Sequence, residues 1–257
     1  MVESSRMKAE ASLTAAAEVL PLRELHRREM NCQIVLDSWL DRRWVDAYAL
    51  RLGGGVVGYG LVGDVRGEQK TIVTEFFVLP EQRAAAQDLF AALIAASGAT
   101  RFETQTNDVL LTLMAYDFGE QIESDTVLFH DALATHLTAP GAQFRKFAPR
   151  DAGRVFGREH DEPKEWVVEA HGEIVAAGGV LFHYNPPYGD IYMEVAEPHR
   201  RRGYGSFLVQ ELKRAAYALG NIPAARCNVA NAASRRTLQR AGMLPCARVL
   251  TGILTVP

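Results

Sequence analysis

Cysteine is scarce in this chain of 257 residues: Cys32, Cys227 and Cys246 are widely spaced, and none of them forms a CxxC pair. An odd trio of this kind argues against a disulfide framework and against a zinc site, and it suits a reducing compartment. No metal is expected. Long apolar runs are missing too. The opening stretch MVESSRMKAEASLTAAAEVL carries acidic residues and reads as neither a secretion signal nor a membrane span. There is no surplus of one charge: 28 Lys+Arg against 31 Asp+Glu leave a formal net charge of -3, too weak a field to draw in nucleic acid or an acidic bilayer. Two nucleotide signatures are also lacking, GxxxxGK[ST] and a GxGxxG followed about twenty residues later by an acid. These absences lead to the expectation of a cytoplasmic protein with no nucleic-acid or membrane partner.

What is present is a packable composition, 48% hydrophobic and 23% charged, in a chain long enough for two domains. The first dozen residues read as a lead-in. Apolar positions at helical spacing predict helices over Leu13–Glu29 and Ile34–Trp44, and then the period becomes strand-like. Strands are expected at Ala47–Arg51, Val56–Val62 and Thr71–Val78, a helix at Glu81–Ser97, a strand at Arg101–Thr106, a helix at Val109–Tyr116 and a strand at Val127–His130. Thr138-Ala-Pro-Gly141 is the best linker. After it the order restarts: Phe144–Phe147, a cap at Asp151, a hairpin of Trp166–Ala170 and Glu173–Leu181, a strand at Asp190–Val195 and a helix at Arg202–Leu219. A strand at Ala225–Val229, a helix at Ala232–Ala241 and a strand at Val249–Leu254 follow. Trp39, Trp44 and Trp166 are expected in the core, and Arg158–Lys164 as a solvated loop.

The repetition extends to detail. TEFFVLPEQRAAAQDLFAALIAA from Thr74 and YMEVAEPHRRRGYGSFLVQELKRAA from Tyr192 share one grammar of strand, Pro, Arg and helix. Downstream, Thr104–Gly119 parallels Cys227–Met243, with Asn107 opposite Asn231. Two domains are therefore expected, 1–138 and 142–257.

Arg200-Arg201-Arg202-Gly203-Tyr204-Gly205-Ser206 follows a strand and opens a long helix. Its glycines allow a sharp turn in which successive N–H groups face one concavity. The helix start adds unsatisfied amides and a positive dipole end, and the arginines add fork-shaped donors suited to phosphate. A diphosphate is the natural guest. The corresponding segment of the first half, Glu81 to Ala86, has no glycine and carries a carboxylate, so it should hold no anion.

The RxxGxG pattern of Arg200, Gly203 and Gly205, followed about twenty-five residues later by NVANAASRRTLQRAGM, resembles the two cofactor motifs of the GNAT (GCN5-related N-acetyltransferase) superfamily. The resemblance is sharp from Trp166 to Leu254 and only architectural before that. It implies an α/β (α+β) fold, a mostly antiparallel splayed sheet flanked by helices, in two tandem copies of which the first has lost its cofactor loop. It implies acetyl-CoA as cosubstrate. Arg200, Arg201, Arg202, Gly203, Tyr204, Gly205 and Ser206 would hold its pyrophosphate. Met193, Val195 and Ala196, at a bulged strand end, would bind the pantetheine arm, with the Val195 N–H polarising the thioester carbonyl. Asn231 and Ser234 would line the far side.

The reaction implied is transfer of acetyl to a primary amine of a small molecule, peptide or protein by direct attack in a ternary complex, which requires an amine to be deprotonated. Glu194 is the nearest base, with Asp190, His183, His171 and Glu75 as runners-up. The position where many members of the family carry a thiol-protonating Tyr is Leu238 here, which leaves the acid unassigned and Tyr204 and Tyr217 unplaced. It also keeps open an alternative, an idle CoA-binding sensor or scaffold. The partner expected is the amine-bearing acceptor, with homodimerisation an option.

Overall fold

The computed structural model describes residues 7–30, 36–64, 69–156, 165–182 and 186–255. Cys32, His183, Asn185 and the run 158–164 lie outside them. The chain divides into two compact units, one of Met1–Asn31, Leu36–Asp125 and Arg248–Pro257, the other built chiefly of Thr126–Ala247. No helix among the described residues is long and apolar enough to cross a membrane.

The first unit runs β1 (Ala9–Thr14), α1 (Ala16–Glu29), α2 (Leu36–Asp41), β2 (Val45–Leu52), β3 (Gly55–Gly63), β4 (Ile72–Val78), a 3-10 turn at Pro80–Ala85, α3 (Ala86–Ser97), β5 (Arg101–Gln105) and α4 (Val109–Phe118). The lead-in expected at the start is thus partly a strand. Small and polar residues hide the alternation of β1, and what makes it a strand is its antiparallel ladder with β2, from Ala9 opposite Leu52 to Thr14 opposite Ala47. The order is β1-β2-β3-β4-β5, and Val249–Ile253 of the C-terminal strand pairs antiparallel with β5. Phe76, Phe90, Leu89, Leu93 and Phe102, all nearly inaccessible, fill the core beneath α3 and α4. Apolar side chains recur three to four residues apart on α3, while β2, β3 and β4 are buried along most of their length on both faces, and that pattern drives the packing. Trp39 is buried as expected. Trp44 and Trp166 are only half-buried, each under a cation: Arg42 lies 4.8 Å from the ring of Trp44 and Lys146 5.4 Å from that of Trp166.

β6 (Gly119–Asp131) leads into the second unit, which continues with β7 (Ala142–Lys146), a 3-10 turn at Pro149–Asp151, β8 (Trp166–Ala170), β9 (Glu173–Leu181) and β10 (Tyr188–Val195). Then follow a 3-10 turn at Glu197–His199, α5 (Tyr204–Ala218), β11 (Ile222–Asn228), α6 (Ala232–Arg240) and β12 (Met243–Leu254). Its strand order is β6-β11-β10-β9-β8-β7. Asp151 caps a 3-10 turn rather than an α-helix: its buried carboxylate accepts from the Ala148 N–H and from Arg145, which also binds Glu169 on β8. The hydrogen-bonded Arg145 guanidinium holds the Asp151 carboxyl well below the usual carboxylate range.

Both units follow one plan: a strand, three more strands, a 3-10 turn, a helix, a strand and a helix. In each, the sheet is antiparallel except where the strand before the long helix meets the strand after it. β4 and β5 run parallel for only two residue pairs, Ile72–Arg101 and Val73–Phe102. β10 and β11 do so for three, from Tyr188–Ile222 to Asp190–Ala224. Beyond those pairs the strands part.

The units do not break at 138–142. Lys213 and Gln210 on α5 are buried polar residues that need partners. Lys213 donates to the carbonyls of Leu133 and Ala241 and pairs with Asp131 at 2.6 Å. Gln210 receives the Leu137 N–H and donates to the Leu137 carbonyl. The segment before Pro140 is therefore strapped along α5 as part of the second unit. Only paired strands reveal this, because 126–130 completes the ladder with β11.

Candidate functional site

Residues 191–195 of β10 keep their ladder with β9, in continuous register to Val195 opposite Ala176, while their other edge has no β11 partner. The expected bulge is not there; the splay arises because β11 diverges. The Ala196 N–H is committed to the Val175 carbonyl at 3.0 Å. Backbone groups alternate along a strand, so the N–H of Val195 points to the opposite, open edge. Met193 and Val195 pack with the core under α5, and an added Cβ on Gly205 would meet Val195 Cγ2 at 3.1 Å and Met193 Sδ at 3.7 Å. Glu194 consequently projects from the other face of β10.

The turn after β10 is bent by two left-handed residues, Arg201 at φ 63° and Gly203 at φ 89°. Bent in this way just ahead of the free amides that open α5, the turn forms a concave nest of the kind suited to an anion. Gly203 is required there by its backbone conformation rather than by crowding, since a Cβ on it would meet nothing within 4 Å. Arg200 Nε donates to the Val195 carbonyl at 3.2 Å, which pins the turn to the end of the strand.

Strand end and turn open on one cavity of about 730 Å³. Of the residues singled out from sequence, Met193, Glu194, Val195, Arg200, Arg201 and Gly203 line it, as do Tyr204, Gly205, Ser206, Asn231 and Ser234. Ala196 and Arg202 do not. The amide of Ala196 faces β9, and Arg202 is exposed outside the wall. Asn231 caps α6, its side-chain oxygen accepting the Ser234 N–H at 2.9 Å. Sequence reading missed His199 and the α6 residues Ala233, Arg236, Thr237 and Arg240. Helical spacing from Asn231 carried the signal, since 233, 236, 237 and 240 fall on one face.

Other candidates are engaged elsewhere. Asp190 is buried and pairs with Arg226 Nε at 3.2 Å. His171 sits exposed in the β8–β9 turn at φ 53°. The hydroxyl of Tyr217 donates to Asp131, and burial and that carboxylate push its pKa up. Tyr204 does reach the cavity wall, with its ring edge-on to His199. Leu238 is a core residue. The Cys227 thiol is pushed up by burial, as befits an inert strand cysteine.

The first unit shows how such a site closes. Arg83 Nε donates to the Val78 carbonyl at 3.0 Å, matching Arg200 and Val195 residue for residue, and the Leu79 N–H donates to Val57 as Ala196 does to Val175. Yet residues 79–86 contain no positive φ and coil directly into α3. Where β4 and β5 part, a buried network joins the two sides. Arg23 clasps Glu75 through two nitrogens, at 2.8 and 2.5 Å, and the Tyr59 hydroxyl donates to Glu75 at 2.6 Å. His26 spans from Tyr59 at 2.8 Å to Asp108 at 3.0 Å. Tyr59 spends its proton on Glu75, which leaves His26 Nδ1 to donate to the Tyr59 oxygen, and Nε2 faces the Asp108 carboxylate; both contacts favour the protonated ring. Burial opposes that charge, but Asp108, Glu75 and Glu29 together outweigh it and raise the His26 pKa. The helix cap equivalent to Asn231 is Asp108 rather than Asn107, its side chain accepting from the Leu111 N–H.

Residues 130–243 match the acetyltransferase (GNAT) family model. No curated protein sequence matches the chain. Among solved structures, a GNAT-family acetyltransferase from Colwellia psychrerythraea superposes with a TM-score of 0.73 at 14% identity, over 96% of this chain and 100% of the other. A GCN5-related N-acetyltransferase from Sphaerobacter thermophilus gives 0.55 at 16% identity, over 97% and 96%. A tandem GNAT protein from the clavulanic acid biosynthesis pathway gives 0.58 at 14% identity, over 95% and 98%. Splayed strand, bent turn, sequence match and fold thus converge: residues 130–243 match the GNAT acetyltransferase family model, and the chain as a whole has a fold similar to those of these GNAT structures.

Proposed function

We propose that the protein is an acetyl-CoA-dependent N-acetyltransferase acting on a primary amine, with one cosubstrate site per chain, in the second unit. The observation that carries this reading is the opening of two features on one cavity: the anion nest at Arg201–Gly203 and the unpaired edge of β10. Nest amides, the start of α5 and the Arg200 and Arg201 guanidinium groups suit a diphosphate. The free strand edge suits an amide-bearing arm that can pair with it as a further strand would.

Bound there, acetyl-CoA supplies an activated acetyl thioester. On the open edge of β10, the Val195 N–H is the group that would polarise the thioester carbonyl as charge develops on the oxygen. Glu194 takes the proton of the attacking amine, directly or through water, as the C–N bond forms and the C–S bond breaks. Asn231 and Ser234 bound the opposite wall.

The test is release of free thiol from acetyl-CoA with a panel of amines, alongside calorimetry of the full chain. Amine-dependent thiol release and one site per chain are expected. Arg200→Glu with Arg201→Glu should raise the Kd by well over tenfold, since each charge-assisted hydrogen bond to phosphate contributes about 1.5–3 kcal/mol. Absence of CoA binding, two sites per chain, or binding without amine-dependent thiol release would overturn the reading.

A further inference from the structure

The cavity carries more positive charge than a diphosphate calls for. Among the described residues four arginines line it, Arg200 and Arg201 at the turn and Arg236 and Arg240 on α6, against Glu194 as the single carboxylate. Arg236 and Arg240 stand four residues apart, on one face of a helix whose sequence, AASRRTLQR, contains no acid. Both are exposed, and neither has an ion-pair or hydrogen-bond partner among the described residues. Like charges at this spacing destabilise a helix. Arg240, in the last turn, is favoured by the helix dipole, but Arg236 gains nothing from it. The arrangement costs helix stability unless an anion sits between the two guanidinium groups, and these two arginines stand on a different element of the cavity wall from the pair at the turn.

We propose that Arg236 and Arg240 hold the ribose 3′-phosphate of CoA and make this site selective for CoA over its 3′-dephospho form. The inference rests on the reading of the cavity as an acetyl-CoA site. The charges match: the two turn arginines face the two charges of a diphosphate, and the two α6 arginines face a phosphomonoester of nearly two charges. Guanidinium forks are suited to such a group, since each can meet two of its oxygens.

Calorimetry with CoA and with dephospho-CoA on the full-length protein tests this without recourse to turnover. Wild type should bind CoA at least about tenfold more tightly than dephospho-CoA. In Arg236→Gln with Arg240→Gln, CoA affinity should fall to the dephospho-CoA level, while dephospho-CoA affinity stays within about twofold of wild type. Both positions are exposed, and an unchanged melting temperature would establish that the variant is folded. Equal wild-type affinities, or equal losses for both ligands in the variant, would overturn the assignment. If CoA binds and Arg200→Glu with Arg201→Glu abolishes it, but no preference over dephospho-CoA exists, only this inference fails. If neither ligand binds, the proposed function fails with it.

Discussion

Glu194 and Glu75 show how far placement, rather than residue type, decides what a carboxylate can do. Glu194 stands at the cavity wall on the face of β10 away from α5. Glu194→Gln keeps shape and hydrogen bonding but removes basicity. Its kcat should fall by about 10²–10⁴-fold with acetyl-CoA affinity nearly intact, and the rising pH limb of the wild-type rate should disappear or move upward. Unchanged turnover and an unchanged profile would dismiss Glu194 as the base. Glu75 is sealed in, and its role is structural. Burial alone would raise its pKa, but the Arg23 guanidinium overrides that and lowers it. Arg23→Met would leave the carboxylate buried without its cation and should cost about 3–5 kcal/mol in urea unfolding. Replacing both partners by apolar residues should recover much of the loss.

The same network has a pH signature. Glu75, depressed in the fold, contributes stability that is present above its ordinary value of 4.5 and is lost as pH falls through the folded pKa. His26, raised in the fold, contributes stability that is full below its ordinary value of 6.5 and is lost as pH rises through the folded pKa. The network's contribution should therefore peak between those two values. In urea midpoints measured against pH, His26→Gln should flatten the limb above 6.5; a limb that persists would remove His26 as its origin.

At the scale of elements, the difference between the two units lies in one turn. Both have the strand, the Arg-to-carbonyl pin and the following helix, but only 200–203 is bent by left-handed residues. Arg201 is the costly member, because a side chain at φ 63° is strained. Arg201→Gly should relieve that strain and stabilise the protein by roughly 0.5–1 kcal/mol, the left-handed penalty less the entropy a glycine loses on folding. Acetyl-CoA affinity should fall at the same time, because the guanidinium is gone. A variant both less stable and equally tight in binding would contradict this account of the turn. Gly203→Val should weaken binding through backbone conformation, since the space around Gly203 is open.

At the scale of the molecule, the compact units point to where the chain can be cut. A fragment from Ala142 onward lacks the β6 residues that pair with β11 and the segment that satisfies Gln210 and Lys213. It should be insoluble or molten, with weak near-ultraviolet dichroism. A fragment of 126–247 retains both and should unfold cooperatively in urea. If the shorter fragment proved as stable as the longer one, the strap along α5 would be dispensable.

Much of this was legible in sequence for a physical reason. Periodicity and turn chemistry act locally, so most strands and helices from Val45 to Leu254 were readable to within a few residues, and RxxGxG with NxxS marked the anion turn and the α6 cap; β6 and β12 begin well before the expected starts, at Gly119 rather than Val127 and at Met243 rather than Val249. Those same local rules carried the repeated element order, the absence of glycine from the turn of the first half and the two cofactor-type motifs of the second. What only the tertiary structure decided depends on residues distant in the chain. Backbone pairing set which edge of β10 is open and hence the directions of the Val195 and Ala196 amides. Strand ladders, invisible to composition, tied 126–130 to β11 and 249–253 to β5. Packing brought Arg23, Tyr59, Glu75 and His26 together across fifty residues. It also turned one face of α6 toward the cavity, because which face of a short, mostly polar helix meets a partner is decided by the partner.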